Sequence, residues 1–108
     1  MTITQSEEYT IQLLKQYLPN DWQNWKVHFF YSNKVLGRCY RYRKVIELSL
    51  WAIQNTTSES VQETIKHEVA HAVANAQYGF CGHSILWKSV CHRIGCSPEE
   101  YSKVTLIE

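Results

Sequence analysis

The sequence is poor in glycine and proline, and it has no long apolar run. Its 108 residues include four glycines and two prolines, which excludes a collagen-like chain and a low-complexity linker. With 44% hydrophobic residues, the chain is too apolar to be a disordered tail. No stretch approaches the roughly 18 consecutive apolar residues that a membrane helix needs. We therefore expect a single domain over residues 1–108 that makes no contact with a membrane.

A secretory signal is also missing from the sequence. Residues 1–8 contain neither a basic start nor an apolar core. We therefore expect a cytoplasmic protein, associated with the nucleoid in a cell or located in the host cytoplasm if its source is a virus. We also expect the protein to be a monomer.

The four cysteines form no Cys-x-x-Cys pair, the spacing that is typical of a zinc knuckle. Because the cytoplasm keeps thiols reduced, we expect free or buried thiols rather than disulfides. These residues are Cys39, Cys81, Cys91 and Cys96.

Positive charge is concentrated in the first part of the chain, although the net charge is only +1. Residues 1–44 hold seven Lys and Arg against three acids, whereas residues 45–108 hold four against seven. The first part of the chain therefore carries the positive field.

Hydrophobic spacing predicts an α+β fold that begins with a helix and a small sheet. A capping box at Thr4 and Glu7 predicts the start of an amphipathic helix over 5–18. Alternating apolar residues then predict strands over 25–31, 35–43 and 45–50. We expect the three strands to form an antiparallel sheet.

The second half of the chain is predicted to be helical. A capping box at Ser60 and Glu63 predicts a long helix that ends at Gly79. A further helix is expected over 84–94, and a last short helix is expected to begin at Ser97. In the long helix the residues expected to face inward are Val61, Ile65, Val69, Ala72 and Ala76. In the helix over 84–94 they are Leu86, Val90 and Ile94.

The long predicted helix carries the sequence His67-Glu68-Val-Ala-His71. Four residues advance a helix by about 400°, so His67 and His71 lie one turn apart on the same face and can bind one cation. Glu68 is rotated by about 100° from His67, close enough to accept a proton from a water molecule beside the metal. This arrangement is typical of a zinc hydrolase.

A catalytic zinc takes three protein ligands and keeps one position open. His83 is the preferred third ligand, because it follows the predicted end of the helix at Gly79 in a loop that can fold back toward the site. His28, on a predicted strand, is expected to be structural. The other residues of ligating type that remain as alternatives are Cys81, His92, Glu99 and Glu100.

Several separated motifs resemble the SprT-like family of zinc metalloproteases. The first is His67-Glu68-x-x-His71, and the next are Gly82-His83-Ser-x-x-Trp87 and Arg93-Ile-Gly95. The upstream segments Leu36-Gly37-Arg38-Cys39-Tyr40 and Ile46-Glu-Leu48-Ser49 are similar to the family's β-hairpin and to the strand that precedes its active-site helix. Together the motifs cover about residues 22–96. The metzincin pattern is excluded, because Ala74 and Gln77 stand where it requires Gly and His.

The resemblance implies a zincin-like fold, one catalytic Zn²⁺ and the ligand set His67, His71 and His83. The sequence differs from the family pattern at Ser84, where a glycine is frequent, and it ends at Glu108 without a C-terminal zinc ribbon. We therefore expect a minimal form of the family. The family also includes DNA-dependent proteases, which implies substrates bound or crosslinked to DNA and a role in DNA–protein crosslink repair.

A basic cluster on the predicted hairpin gives two hypotheses about nucleic acid. In the first, its cations follow a single-stranded or damaged DNA backbone while exposed tyrosines, or Trp22 and Trp25, stack on unpaired bases. In the second, Tyr40 and Tyr42 face inward and the cations are simply solvated. The cluster consists of Lys34, Arg38, Arg41, Arg43 and Lys44.

These observations lead to two functional hypotheses. In the first, the protein is a zinc metalloendopeptidase that acts on protein substrates, with Glu68 as the catalytic general base and Tyr78 or Tyr101 as candidate oxyanion donors. In the alternative, it is a non-catalytic, zinc-stabilised module that binds DNA or protein.

Overall fold

The computed structural model describes residues 1–80, 82–99, 106 and 107, and the fold is α+β as predicted. Three strands are followed by three helices, and one helix precedes them. The elements are α1 (Ile3–Tyr17), a 3₁₀ turn (Trp22–Asn24), β1 (Lys26–Phe30), β2 (Gly37–Tyr40), β3 (Val45–Ser49), α2 (Leu50–Asn55), α3 (Ser58–Tyr78) and α4 (Ile85–Ile94).

The sheet is mixed, so the prediction of an antiparallel sheet is wrong. The strand order is β1-β3-β2, in which β3 runs antiparallel to β2 and parallel to β1. The loop 31–36 connects β1 to β2, which lie on opposite sides of β3. The strand β3 follows β2 in the chain and pairs with both of them. Burial explains this order, because β3 is buried at four of its five positions while β1 and β2 have none. The strand with two buried faces takes the centre, and β2 becomes an edge strand.

Both long helices that were predicted from capping boxes begin earlier than expected. Thr2 caps α1, and the capping box pairs it with Gln5 rather than Thr4 with Glu7. Thr57 caps α3, and its hydroxyl accepts a hydrogen bond from the backbone N–H of Ser60. In each case a threonine upstream of the predicted cap accepts a hydrogen bond from a backbone N–H of the first turn, so the helix begins directly after that threonine.

The helix α2 was not predicted from the sequence. Its cap is Ser49, the last residue of β3, whose hydroxyl accepts a hydrogen bond from the backbone N–H of Ala52. The same hydroxyl donates a hydrogen bond to the carbonyl oxygen of Ser32. The chain therefore passes from strand to helix without a loop, and one serine ties this corner to the loop 31–36.

The helix α3 is central to the fold and packs against α1, α4, β2 and β3. The predicted inward residues Val61, Ile65, Val69 and Ala72 are buried, whereas Ala76 is exposed. Gly79 ends the helix with a positive φ of 74°, as predicted.

The helix α4 begins after Ser84 and ends at Gly95, close to the predicted bounds. Val90 and Ile94 are buried as predicted, but Leu86 is exposed and Trp87 is fully buried instead. The indole of Trp87 packs beneath the histidine cluster described below, which determines how the first turn of α4 faces α3.

The short helix predicted to begin at Ser97 is not formed over residues 97–99, and its remainder lies outside the described residues. Among the helices that the structure describes, none is both long and apolar enough to cross a membrane.

Candidate metal centre

Three histidine rings meet between α3 and the loop before α4. The ligand atoms of His67, His71 and His83 all lie within 4.8 Å of one another, and Nε2 of His71 is 3.1 Å from Nε2 of His83. Nitrogen ligands about 2.0–2.1 Å from a tetrahedral zinc are separated by about 3.3 Å, so the cluster has the dimensions of a metal site. The structure thus brings together all three residues that were predicted to bind zinc, and they lie close enough to bind one metal ion.

The alternative ligands do not join this cluster within the described residues. His92 is exposed on α4, and Glu99 is exposed after it. His28 is exposed on β1, away from the other histidines. Cys81 and Glu100 lie outside the described residues.

One buried tryptophan supports all three imidazole rings. The centroid of the Trp87 ring lies 4.8 Å from that of His67, 5.1 Å from that of His71 and 4.7 Å from that of His83. The ring of His71 is stacked on the indole at an interplanar angle of 17°. Trp87 is fully buried, so it excludes water from one side of the cluster and restricts the orientations that the rings can adopt.

The two helical histidines are held in the neutral form, which is the form that binds metals. Burial, followed by the charge of the neighbouring imidazole of His83, lowers the pKa of His67 to about 4. Burial and the imidazoles of His67 and His83 lower the pKa of His71 to about 3. At neutral pH these rings therefore have a free nitrogen lone pair for a cation.

Glu68 is the buried acid of the site, with 7% of its surface exposed. Its burial raises the pKa of the carboxyl group to about 8. A cation at the histidine cluster would lower this pKa, because an adjacent positive charge favours the carboxylate. Burial, together with the charge of Glu68, also raises the pKa of the Cys39 thiol to about 12, so this thiol is protonated at neutral pH.

Gly37 gives Glu68 the space that it occupies. A Cβ atom at Gly37 would lie 2.9 Å from Cγ of Glu68, 3.2 Å from its Oε2 and 3.1 Å from Cγ2 of Thr64. The contact with Cγ of Glu68 is too short for two carbon atoms and the other two are tight, so a residue with a Cβ at this position would displace the Glu68 side chain or move β2 away from α3. In the sequence Gly37 stands out only as part of a motif, since the need for glycine depends on a neighbour 31 positions away in the chain.

A cleft of about 460 Å³ opens at the site between β2 and the second half of α3. Tyr40 lines it, whereas Tyr78 is exposed on the last turn of α3 and does not, and Tyr101 lies outside the described residues. Neither of the two predicted oxyanion donors is therefore seen at the cleft. The residues that line it are Arg38, Cys39, Tyr40, Glu68, His71, Asn75, Phe80, Gly82 and His83.

Two of the five cations predicted to contact DNA are paired with acids. Nζ of Lys44 lies 2.7 Å from Oδ1 of Asp21, and this lysine also lowers the pKa of the aspartate. Nη1 of Arg38 lies 3.4 Å from Oε1 of Glu47. Lys34 is exposed in the loop 31–36.

The other two cations contact aromatic rings near the turn 41–44. The guanidinium of Arg41 lies 4.4 Å from the ring centre of Tyr42 and 5.0 Å from that of Phe80, and Arg43 lies 5.2 Å from the ring centre of Tyr40. Tyr42 is 84% exposed and Phe80 is 75% exposed. The predicted strand alternation fails here because β2 ends at Tyr40, so Tyr42 points outward rather than into the core.

Comparison with known proteins agrees with the geometry of the site. The SprT-like family model matches residues 6–106, nearly the whole chain. This family is associated with zincin-type metallopeptidases. No curated protein matches the sequence.

The close approach of Gly37 to Glu68 predicts energetic coupling between the two residues. We expect Gly37→Ala to lower the free energy of unfolding, and to lower it by about 1 kcal/mol less in a Glu68→Ala background, because contacting residues couple by roughly 0.5–3 kcal/mol. Part of the cost remains in that background because Thr64 is still in place. Urea denaturation of the four metal-free proteins measures the coupling.

Gly95→Ala is the control for this cycle, since a Cβ there meets no atom within 4 Å and its cost comes from a φ of +89°. Its effect should be equal in both backgrounds. An equal cost for Gly37→Ala in both backgrounds would show that Glu68 does not need this space.

The raised pKa of Glu68 predicts a pH dependence of the metal-free protein. The pKa is about 8 when folded and near 4.5 when unfolded, so the folded state holds the proton more tightly. Stability from this group is present at low pH and is lost as pH rises through 8. Relative to Glu68→Gln, the wild type should lose stability from about pH 4.5 to about 8 and level off above pH 8, and urea titrations measure the part of this loss between pH 6.5 and 8. The lowered pKa values of His67 and His71 change the free energy of unfolding only below about pH 6.5, the value of an ordinary histidine, so they do not affect the range between pH 6.5 and 8. Parallel stability curves for the two proteins would contradict the assignment.

Proposed function

The chain belongs to the SprT-like family, and we propose that it is a zinc-dependent metallopeptidase that hydrolyses protein substrates. The observation that carries the proposal is the convergence of three imidazoles beside a buried carboxyl group at an open cleft. A structural zinc site has four protein ligands and needs no base, whereas a catalytic site has three and keeps one position open. Within the described residues, the cluster contains three ligating side chains and no fourth.

The three histidines would hold the ion in this proposal. His67 and His71 come from α3, and His83 comes from the loop before α4. A zinc ion in this position supplies a Lewis acid that polarises a substrate carbonyl and makes a water molecule more acidic. Trp87 keeps the rings in place and excludes water from behind them.

Glu68 is the general base in the proposed reaction. Its carboxylate accepts a proton from the water molecule whose oxygen forms the new bond to the carbonyl carbon. The same proton then passes to the amide nitrogen as the C–N bond breaks, so that a carboxylic acid and an amine are formed. Burial favours this role because it keeps the carboxyl group basic enough to take a proton near neutral pH.

The substrate would lie extended along β2, which is an edge strand beside the cleft. An extended peptide can add to such an edge through main-chain hydrogen bonds. Tyr40 replaces Tyr78 as our candidate oxyanion donor, since it is the tyrosine that lines the cleft within the described residues. Any accessible unfolded segment of a protein fits this mode of binding.

Glu68→Gln tests the role of the general base. We expect the variant to keep its fold and its zinc, and to cleave an unfolded protein such as β-casein at least about 100-fold more slowly, because general acid–base catalysis contributes roughly 10²–10⁴-fold. Gel-based cleavage rates and zinc content measure both expectations.

Glu59→Gln, an exposed acid in the first turn of α3, is the matched control and should cleave at the wild-type rate. Undiminished cleavage by Glu68→Gln would refute the assigned base. Zinc binding without any cleavage by the wild type would favour the alternative function, a zinc-stabilised binding module.

We further propose that the turn 41–44 binds single-stranded DNA, which would direct the peptidase to proteins bound or crosslinked to DNA. The exposed ring of Tyr42 and the adjacent guanidinium groups of Arg41 and Arg43 support this second proposal. Such a combination of stacking surface and cation suits unpaired bases and phosphates. Arg38 and Lys44 contribute less, because each is paired with an acid.

The double variant Arg41→Ala/Arg43→Ala tests DNA binding. We expect it to weaken binding of a labelled single-stranded oligonucleotide and to reduce the salt slope by about 1.4, since each contact to a single strand contributes about 0.7. Fluorescence anisotropy at several salt concentrations measures this. Lys88→Ala, on the exposed face of α4, is the control. An equal loss in both variants would contradict a specific role for the turn.

A further inference from the structure

The carboxamide of Asn75 lies in the cleft but has no role in the site described above. Asn75 follows His71 by one helical turn, so it continues the face of α3 that carries His67 and His71. It lines the cleft together with Glu68 and the histidines, and it is not part of the metal-binding cluster. Asn75 carries no signal in the sequence, because a lone asparagine near the end of a helix is common on protein surfaces.

The side-chain oxygen of Asn75 is buried and has no hydrogen-bond partner within the described residues. The backbone of the same residue is satisfied, since its carbonyl oxygen accepts a hydrogen bond from the N–H of Gly79 at 3.0 Å. A buried polar atom without a partner is costly to the fold, and such atoms are few in native proteins. At an open cleft, an acceptor of this kind is available to a hydrogen-bond donor of a bound molecule.

The cavities around Asn75 show where that donor would come from. The cleft of about 460 Å³ adjoins a second cavity of about 260 Å³, and the two share Cys39, Tyr40, Phe80 and Asn75. Together they form a groove with β2 on one side and α3 on the other. The groove leads from the histidine cluster to the turn 41–44, because Arg41, Tyr42 and Arg43 also line the second cavity. It can therefore hold a chain that extends on one side of the reacting bond, toward the residues proposed to bind DNA.

We propose that Asn75 binds the main chain of the substrate polypeptide, accepting a hydrogen bond from a peptide N–H next to the scissile bond. The inference rests on the proposed function and adds a substrate-binding residue to it. A polypeptide main chain offers an N–H at nearly every residue, so this contact does not depend on the side-chain sequence. Asn75 and the edge of β2 then hold the extended chain from opposite sides, over the face of α3 that carries the histidines.

Binding of an unfolded protein to an inactive background tests this inference. The probe is fluorescein-labelled β-casein, and the zinc-loaded Glu68→Gln protein is the background, so that no cleavage occurs. We expect Asn75→Leu to weaken binding about tenfold, the effect of losing a hydrogen bond to a buried acceptor. Fluorescence anisotropy measures the affinity. Gln77→Leu, on the exposed part of the same helix, is the matched control and should leave the affinity unchanged.

A stability measurement separates binding from folding. Because the oxygen of Asn75 has no partner among the residues that the structure describes, Asn75→Leu should not lower the urea midpoint of the metal-free protein. A lowered midpoint would overturn the inference, since the oxygen would then have a structural partner. Unchanged affinity for casein would overturn it as well.

The same design distinguishes this inference from the proposed peptidase function. If the wild type does not cleave casein but Asn75→Leu still weakens binding, the peptidase proposal fails and the peptide-binding residue is supported. If the wild type cleaves, Asn75→Leu in the active protein should raise KM about tenfold and change kcat little. A fall in kcat with an unchanged KM would contradict a binding role.

Discussion

The contact of three imidazole rings with one another and with the indole of Trp87 is the constraint on which the site depends. The pitch of α3 aligns His67 and His71, and the loop before α4 returns His83 to them. Desolvation keeps His67 and His71 neutral, so their ring nitrogens offer lone pairs that a cation could bind. The packing of α4 against α3 therefore sets the geometry of the site as well as completing the core.

The topology of the sheet places a free strand edge beside the cleft. Because the strongly apolar β3 takes the centre of the sheet, β2 becomes an edge strand and lies against α3. The absence of a side chain at Gly37 lets the strand approach the helix at Glu68. An antiparallel sheet in chain order would have placed β2 at the centre, without a free edge beside the cleft. The same close packing thus buries the acid and creates the groove that contains Asn75.

Patterns within one element predicted much of this structure, and relations between distant elements could not be predicted. Helical spacing and the resemblance to the SprT-like family identified His67, Glu68, His71 and His83, which the structure brings to one place. Strand order depends on which strand buries two faces, so the mixed sheet was missed. Trp87, rather than Leu86, turns inward because the histidine rings pack on it.

The most direct test of the account is X-ray absorption spectroscopy at the zinc edge of the loaded protein in solution. We expect one zinc per chain, with three imidazole nitrogens at about 2.0–2.1 Å and one further light atom that does not come from the protein. A sulfur ligand near 2.3 Å, or a fourth imidazole, would contradict it, because the position needed for a substrate would then be occupied by the protein.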